Sequence, residues 1–170
     1  MSRSSRLALC APVTTLTVAL DQLTKAIARA TLAPGEQVVL LGGLIRILLR
    51  TNIGAFLGLG SSLPPMVRTV IFGVVVVLLL TAMTAYLLGS PHLPPGGVVG
   101  ASLVVGGGAG NLIDRVGCHG EVTDFLNVGI GPVRTGIFNV ADLAIVGGVV
   151  CLLLTWPSLE KQDSSPSQPS

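Results

Sequence analysis

The sequence predicts an all-α polytopic membrane protein: four transmembrane helices with a small extracytoplasmic β-hairpin or loop element between helices 1 and 2. Three observations carry this prediction. Half of the 170 residues are hydrophobic and only 11% are charged, and the mean hydropathy is +0.80, far from the composition of a soluble domain. Apolar runs of transmembrane length recur along the chain, and clusters of Pro, Gly and Ser separate them.

The clearest span is Val70 to Leu88, 19 residues without a charge, enough for about 28 Å of helix and so for the hydrocarbon core. Ser90-Pro91 and Pro94-Pro95-Gly96-Gly97 force a turn after it. The run Val98 to Ile113 is dominated by small residues, among them Gly100, Gly106, Gly107, Gly108 and Gly110. Such faces let helices approach closely, so this span is expected at the centre of the bundle. Ile137 to Trp156 is apolar except for Asn139 and Asp142, and Pro157 closes it.

The first run, Leu7 to about Ala28, follows Arg3 and Arg6 in the manner of a secretory signal. Its helical pattern continues past Asp21 into Gln22-Leu23-Thr24-Lys25, which favours an uncleaved span. The expected spans are therefore about 7–28, 68–88, 98–114 and 137–156, in one domain of residues 1–157, with a disordered polar tail over 158–170. The connection from Thr31 to Pro65 is too apolar for a solvated linker. Val38–Leu41, Gly42-Gly43 and Leu44–Leu49 read as a hairpin with a two-residue glycine turn, an interfacial helix being the alternative. Either form lies on the membrane surface.

The 10 Lys+Arg and 8 Asp+Glu give a net charge of +2 with no basic block, so nucleic acid is not an expected partner. Cys10, Cys118 and Cys151 show neither disulfide nor metal-ligand spacing, and His92 and His119 are expected on opposite sides of the membrane. There is no H-E-x-x-H, no Gly-x-Ser-x-Gly and no phosphate-binding glycine loop, and neither metal nor cofactor is expected. Thr24 and Lys25 point about 100° apart on a helix, which argues against a hydroxyl and lysine dyad.

Alternation of four spans brings Asp21, Asp114, Asp124 and Asp142 to one membrane face. A carboxylate near hydrocarbon is expensive to charge and is a functional candidate by default. Asp21 and Lys25, four residues apart on one helix face, suit an interfacial ion pair. Asn111 precedes Asp114 by three, and Asn139 precedes Asp142 by three, so each amide is expected beside its own carboxylate. The adjacent Arg115 suggests a paired scaffold role for Asp114. Asp124 lies in an extended-looking stretch, Glu121 to Asn127, with 17 residues between it and Asp142. Two carboxylates sharing a proton supply an acid and a base at once, the chemistry of aspartic peptide hydrolysis.

These segments resemble bacterial lipoprotein signal peptidase (signal peptidase II) along nearly the whole chain. The matching motifs are Asp21-Gln22-Leu23-Thr24-Lys25, Asn52-Ile53-Gly54-Ala55-Phe56, Gly108 to Arg115, Val122-Thr123-Asp124-Phe125 and Phe138-Asn139-Val140-Ala141-Asp142. The resemblance implies an intramembrane aspartic endopeptidase that removes the signal peptide of diacylglyceryl-modified prolipoproteins, cutting before the lipid-bearing cysteine. It makes Asp124 and Asp142 the catalytic pair, Asn111, Asp114, Arg115 and Asn139 supporting residues, and places Asn52 and Gly54 near the substrate. Asp21 and Lys25 become structural or substrate-orienting.

It further implies prolipoprotein, membrane-lipid and globomycin-type partners, and residence in the bacterial cytoplasmic (inner) membrane with the site at the extracytoplasmic face. Arg3, Arg6 and Lys161 flank the termini while Arg29, Arg46, Arg50 and Arg68 border or lie in the first long loop, and the termini are expected in the cytoplasm. Two positions depart from the family pattern: Gly54-Ala55-Phe56 is one residue short, and Thr123 replaces the usual valine. The competing class is an ion relay, but its polar groups would have to recur at intervals across the bilayer, and spans two and four lack ionisable residues through their inner halves.

Overall fold

A computed structural model describes residues 1–33, 35–54, 62–64, 66–67, 70–90 and 93–163. Helix α1 runs Arg3–Thr31, its start capped by the Ser2 hydroxyl, which accepts from the Ser5 N–H at 3.1 Å. Strands β1 (Gln37–Leu40) and β2 (Ile45–Asn52) follow. A π-helical turn, Val70–Val75, leads into α2 (Val76–Gly89), and α3 covers Pro95–Gly117 with its proline in the first turn. Strands β3 (Val122–Ile130) and β4 (Val133–Arg134) precede α4 (Val140–Asp163).

Polarity in the bundle is inverted relative to a water-soluble protein. Asp21, Lys25, Ser102, Asn111, Asp114 and Asn139 are buried, while Leu16, Leu78, Leu79 and Leu154 face outward. Outward leucines and inward ion pairs suit a hydrocarbon solvent. Helices α1 and α3 are long and apolar enough to cross a membrane, and the apolar parts of the other two, Gly73–Gly89 and Val140–Thr155, are shorter.

Helix α3 packs against α1, α2 and α4, the central place its small residues predict. Closest approach is to α4, where a Cβ on Gly100 would stand 2.8 Å from the Gly148 carbonyl oxygen and 3.0 Å from Cys151 Cβ. Gly100→Ala is therefore expected to push α3 and α4 apart and lower stability by about 1–3 kcal/mol. A thermal melt in detergent checks this, and an unchanged midpoint counts against the close-packing account.

The fold class needs one correction. The chain is not all-α, because β1-β2-β3-β4 form a four-stranded antiparallel sheet. The stretch around Asp124 finds its backbone partners in β2, so the loop after α3 completes the hairpin into a sheet. The turn also differs: Leu40 pairs with Ile45, leaving a four-residue connection in which Gly42 and Gly43 adopt φ of 63° and 94°, values that glycine reaches without strain.

Helix α4 begins at Val140, later than the expected 137, because Phe138 bridges to Leu126 of β3. It also runs past Pro157 to Asp163, into the stretch expected to be a polar tail. A proline costs a helix one hydrogen bond, yet its φ is itself helical. Residues 164–170, Ala55, Phe56 and His92 lie outside the described residues.

A single irregularity in the sheet sets the direction of Asn52. Ile45–Ile47 pair with Val128–Leu126, but Arg50 pairs with Asp124 and Asn52 with Val122, so β2 carries one extra residue between Ile47 and Arg50. Side chains alternate along a strand, and a one-residue slip moves each to the opposite face. The bulge therefore puts Asn52 on the face of β3 that carries Asp124.

Candidate active site

Asn139 joins the two halves of the site. The Phe138 N–H donates to the Leu126 carbonyl at 2.9 Å, and the Phe138 carbonyl accepts from Phe125 and Leu126 at 3.0 and 2.8 Å. These bonds dock the entry of α4 against β3 and bring Asn139 beside Asp124. Asn139 also caps α4: its side-chain oxygen accepts from the Asp142 N–H at 3.0 Å, while its own N–H donates to Asp142 Oδ2 at 3.2 Å. That is a reciprocal capping box with aspartate in its third position.

With its oxygen committed to the cap, the Asn139 amide nitrogen crosses to Asp124 Oδ1 at 2.7 Å. The same nitrogen reaches Asn111 Oδ1 at 3.1 Å and the Thr123 carbonyl at 3.3 Å. Asn111 Nδ2 donates to Asp142 Oδ1 at 3.0 Å, and Asn52 Nδ2 to Asp124 Oδ2 at 2.9 Å. Each carboxylate thus receives two hydrogen bonds that fix its plane. The expectation that each asparagine serves the aspartate three residues on is met at neither site by its amide nitrogen. Both cross to another element, and the local bonds at Asn139 are the two of its capping box.

The loop carrying Asn52 is held in turn. Gly54 N–H donates to Asn52 Oδ1 at 2.9 Å, and the Gly54 carbonyl accepts from Arg115 Nη2 at 3.0 Å. Arg115 therefore positions Asn52, and through it Asp124. Asp114 is a paired carboxylate as expected, but the cations that meet it come from α1: Lys25 Nζ at 3.2 Å and Arg29 Nη1 at 3.8 Å.

Lys25 is fully enclosed, 0% accessible. Its ammonium touches Asp21 Oδ2 at 2.8 Å, Asp114 Oδ2 and, at 2.9 Å, Asn111 Oδ1. Three donor directions meet three acceptors, which satisfies the ammonium. Asp21 Oδ1 accepts from the Ala141 N–H at 2.9 Å, and Asp114 Oδ2 from the Thr123 N–H at 2.9 Å. The two scaffold carboxylates therefore grip the backbone next to Asp142 and Asp124. Asp21 is enclosed with Lys25, also 0% accessible.

Gln22 and Arg29 belong to this network and do not stand out in the sequence. Gln22 Nε2 donates to Asp21, to Asp114 and to the Gly110 carbonyl, and Arg29 Nη1 donates to Thr123 Oγ1 at 2.8 Å. The available signal was the spacing of Asp21, Lys25 and Arg29, each four residues on along one helix face.

Burial pushes the Asp124 carboxyl up to about 6. The hydrogen bond from Asn52 opposes that rise, the charge of Asp142 adds to it, and Asn139 and Lys25 oppose it more weakly. Among the described residues no group of three or more His, Cys, Asp or Glu side chains could hold a metal ion. The arrangement holds two buried carboxylates on one shared asparagine, with the Asp124 carboxyl pushed up to about 6 and a balanced set of charges behind them.

A family model for Signal peptidase (SPase) II matches residues 13–157. The chain belongs to the signal peptidase II family. The lipoprotein signal peptidase of Gloeobacter violaceus is 35% identical to it, covering 91% of this chain and 85% of its own. That of Moorella thermoacetica is 36% identical, with 85% and 88% covered, and that of Mycobacterium avium 34%, with 88% and 79%.

Two solved bacterial membrane enzymes share the fold. One superposes with a TM-score of 0.80 at 24% identity over 96% of each chain. The other gives 0.74 at 25% identity over 88% of this chain and 93% of its own. Membership of the signal peptidase II family makes this chain a membrane peptidase, and the match spans every residue of the hydrogen-bonded network around Asp124 and Asp142.

Proposed function

We propose that this chain removes the signal peptide of diacylglyceryl-modified prolipoproteins, cleaving before the lipid-bearing cysteine, with Asp124 and Asp142 as its catalytic residues. The observation that carries the proposal is the shared asparagine: Asn139 binds Asp124 through its side chain and Asp142 through its backbone. The chain crosses the cytoplasmic membrane four times with its termini in the cytoplasm. Globomycin-type peptides compete with the substrate for this site.

Two carboxylates sharing one proton can do this chemistry without a nucleophilic side chain. We assign Asp124, whose carboxyl burial and the charge of Asp142 push up to about 6, as the acid, and Asp142 as the base. Asp142 takes a proton from water as the water oxygen bonds to the scissile carbonyl carbon, and Asp124 gives its proton to the carbonyl oxygen. A tetrahedral diol results. Asp142 then protonates the departing cysteine nitrogen, Asp124 recovers a proton from the diol, and the C–N bond breaks. The pair ends with one proton, as it began.

The proposal sets a pH dependence. The singly protonated pair is lost as pH rises through the Asp124 value of about 6, so kcat/KM of the free enzyme falls on that alkaline limb. Asn52 stabilises the ionised form of Asp124. Asn52→Ala is therefore expected to move the limb to higher pH while lowering the plateau through lost alignment. Cleavage of a diacylated prolipoprotein peptide by the purified protein across pH checks both, and a limb that stays in place or moves down contradicts the assignment.

The direct test of function is release of signal peptide from diacylated prolipoprotein, with and without globomycin. No release, or release indifferent to globomycin, would sink the reading.

A further inference from the structure

The sheet ends in two turns, residues 41–44 and 131–132, sewn into a single tip. Gly129 N–H donates to the Leu44 carbonyl at 2.9 Å, and Arg134 donates to the Gly43 and Leu44 carbonyls at 2.8 and 3.3 Å. This tip presents Leu41, Ile130 and Val133, accessible by 72, 78 and 79%, with Val39 and Leu40 beside them. Turns normally carry polar residues, and a continuous apolar tip marks a surface that meets an apolar phase.

Two cations stand behind the tip. Arg46 pairs in register with Asn127, whose side-chain oxygen and carbonyl accept from Arg134, and the charges of Arg46 and Arg134 repel each other. Among the described residues neither arginine forms an ion pair with an acidic side chain. Arg46 Nε is buried and, among the described residues, has no hydrogen-bond partner. Two neighbouring guanidinium groups, unneutralised and bordering apolar turns, match the chemistry of a phosphodiester that carries acyl chains.

Attachment sets the height of the tip. Phe125 of β3 packs on Ala28 and Leu32 at the end of α1, with Val140 of α4 against the same cluster, so the sheet springs from the helix ends on the active-site face.

We propose that this tip is a lipid-binding wedge, in which Leu41, Ile130 and Val133 enter the leaflet on the active-site face while Arg46 takes the phosphate of an anionic phospholipid, with Arg134, whose five N–H donors are all committed within the protein, adding its charge alongside. It is independent of the catalytic assignment and would hold the sheet, and the strand carrying Asp124, at a fixed depth.

The test uses the full chain in nanodiscs of phosphatidylglycerol and phosphatidylcholine. Trp156 is the one tryptophan, so the variant Trp156→Phe/Leu41→Trp places a single reporter at the tip. Blue-shifted emission, quenched by brominated acyl chains and shielded from iodide, is expected. Emission typical of water, quenched by iodide and untouched by brominated lipid, overturns the wedge.

Native mass spectrometry of protein released from the discs is expected to show preferential retention of phosphatidylglycerol, reduced about fivefold in Arg46→Gln and preserved in Arg46→Lys. Equal retention of the two lipids by the wild type, or retention undiminished in Arg46→Gln, overturns the phosphate site. Added inorganic phosphate should leave the lipid in place, and displacement by it overturns the lipid assignment in favour of a simple anion site. Neither readout uses peptidase activity, so failure here and failure of the catalytic proposal are separately visible.

Discussion

Asp124→Asn and Asp142→Asn are each expected to lower signal-peptide release by about 10³-fold or more while leaving a folded membrane protein. The magnitude follows from general acid–base catalysis, where one positioned group contributes roughly 10²–10⁴-fold, and here each group acts in both halves of the reaction. Asparagine preserves size and one acceptor oxygen, so at position 124 one of the Asn139 and Asn52 amides keeps its acceptor while the other meets the new NH2 group. Processing at wild-type rates in both variants would remove the catalytic assignment.

A stability measurement separates loss of chemistry from loss of fold. Asp124 has a folded value of about 6, above the ordinary 3.8. Its contribution to stability is therefore full below the ordinary value and lost as pH rises through about 6. Above that pH the wild type holds an ionised, buried carboxylate that Asp124→Asn lacks. The melting point of the variant relative to wild type should therefore be higher at pH 8 than at pH 4. A variant that melts far below wild type at pH 8 would instead assign Asp124 a structural role.

The second large effect is expected at Lys25. Lys25→Met leaves Asp21 and Asp114 in the bundle without the cation that touches both, and breaking a buried pair from one side costs about 3–5 kcal/mol. Both carboxylates also hold backbone N–H groups, at Ala141 and Thr123, so the damage should reach the start of α4 and the strand carrying Asp124. Asp21→Asn/Lys25→Met, which removes one charge of each sign, is expected to recover part of the loss, and the double-mutant cycle reads the coupling. A Lys25→Met protein that melts with wild type would show that Lys25 does not balance these charges.

The legibility of this chain is uneven for physical reasons. Helix positions can be read because apolar runs and Pro/Gly punctuation are local signals, and the central place of α3 because small residues suit close packing. The turn at Gly42-Gly43 is visible in the sequence but its length is not, since both lengths use glycine at positive φ. The partner of Asp114 is hidden because Arg115 is its neighbour in sequence, whereas Lys25 reaches it from another helix. The two Asn-x-x-Asp patterns invite a local reading. In the folded chain both amide nitrogens point across the bundle, because α3, α4 and β3 converge there.

By itself the sequence determined the solvent, the helices and the residue types of the site. Charged groups next to long apolar runs are costly wherever the chain folds, so Asp21, Lys25, Asp114, Asp124 and Asp142 stand out before any contact is known. Only the tertiary structure decided who meets whom. Asn52 reaches Asp124 across 72 positions because a single extra residue in β2 turns it to the right face of the sheet. Asn139 reaches both aspartates because Phe138 is pinned to β3 one residue earlier. Strand register and the docking of a helix start depend on backbone pairing between distant segments, which no local pattern of residues encodes.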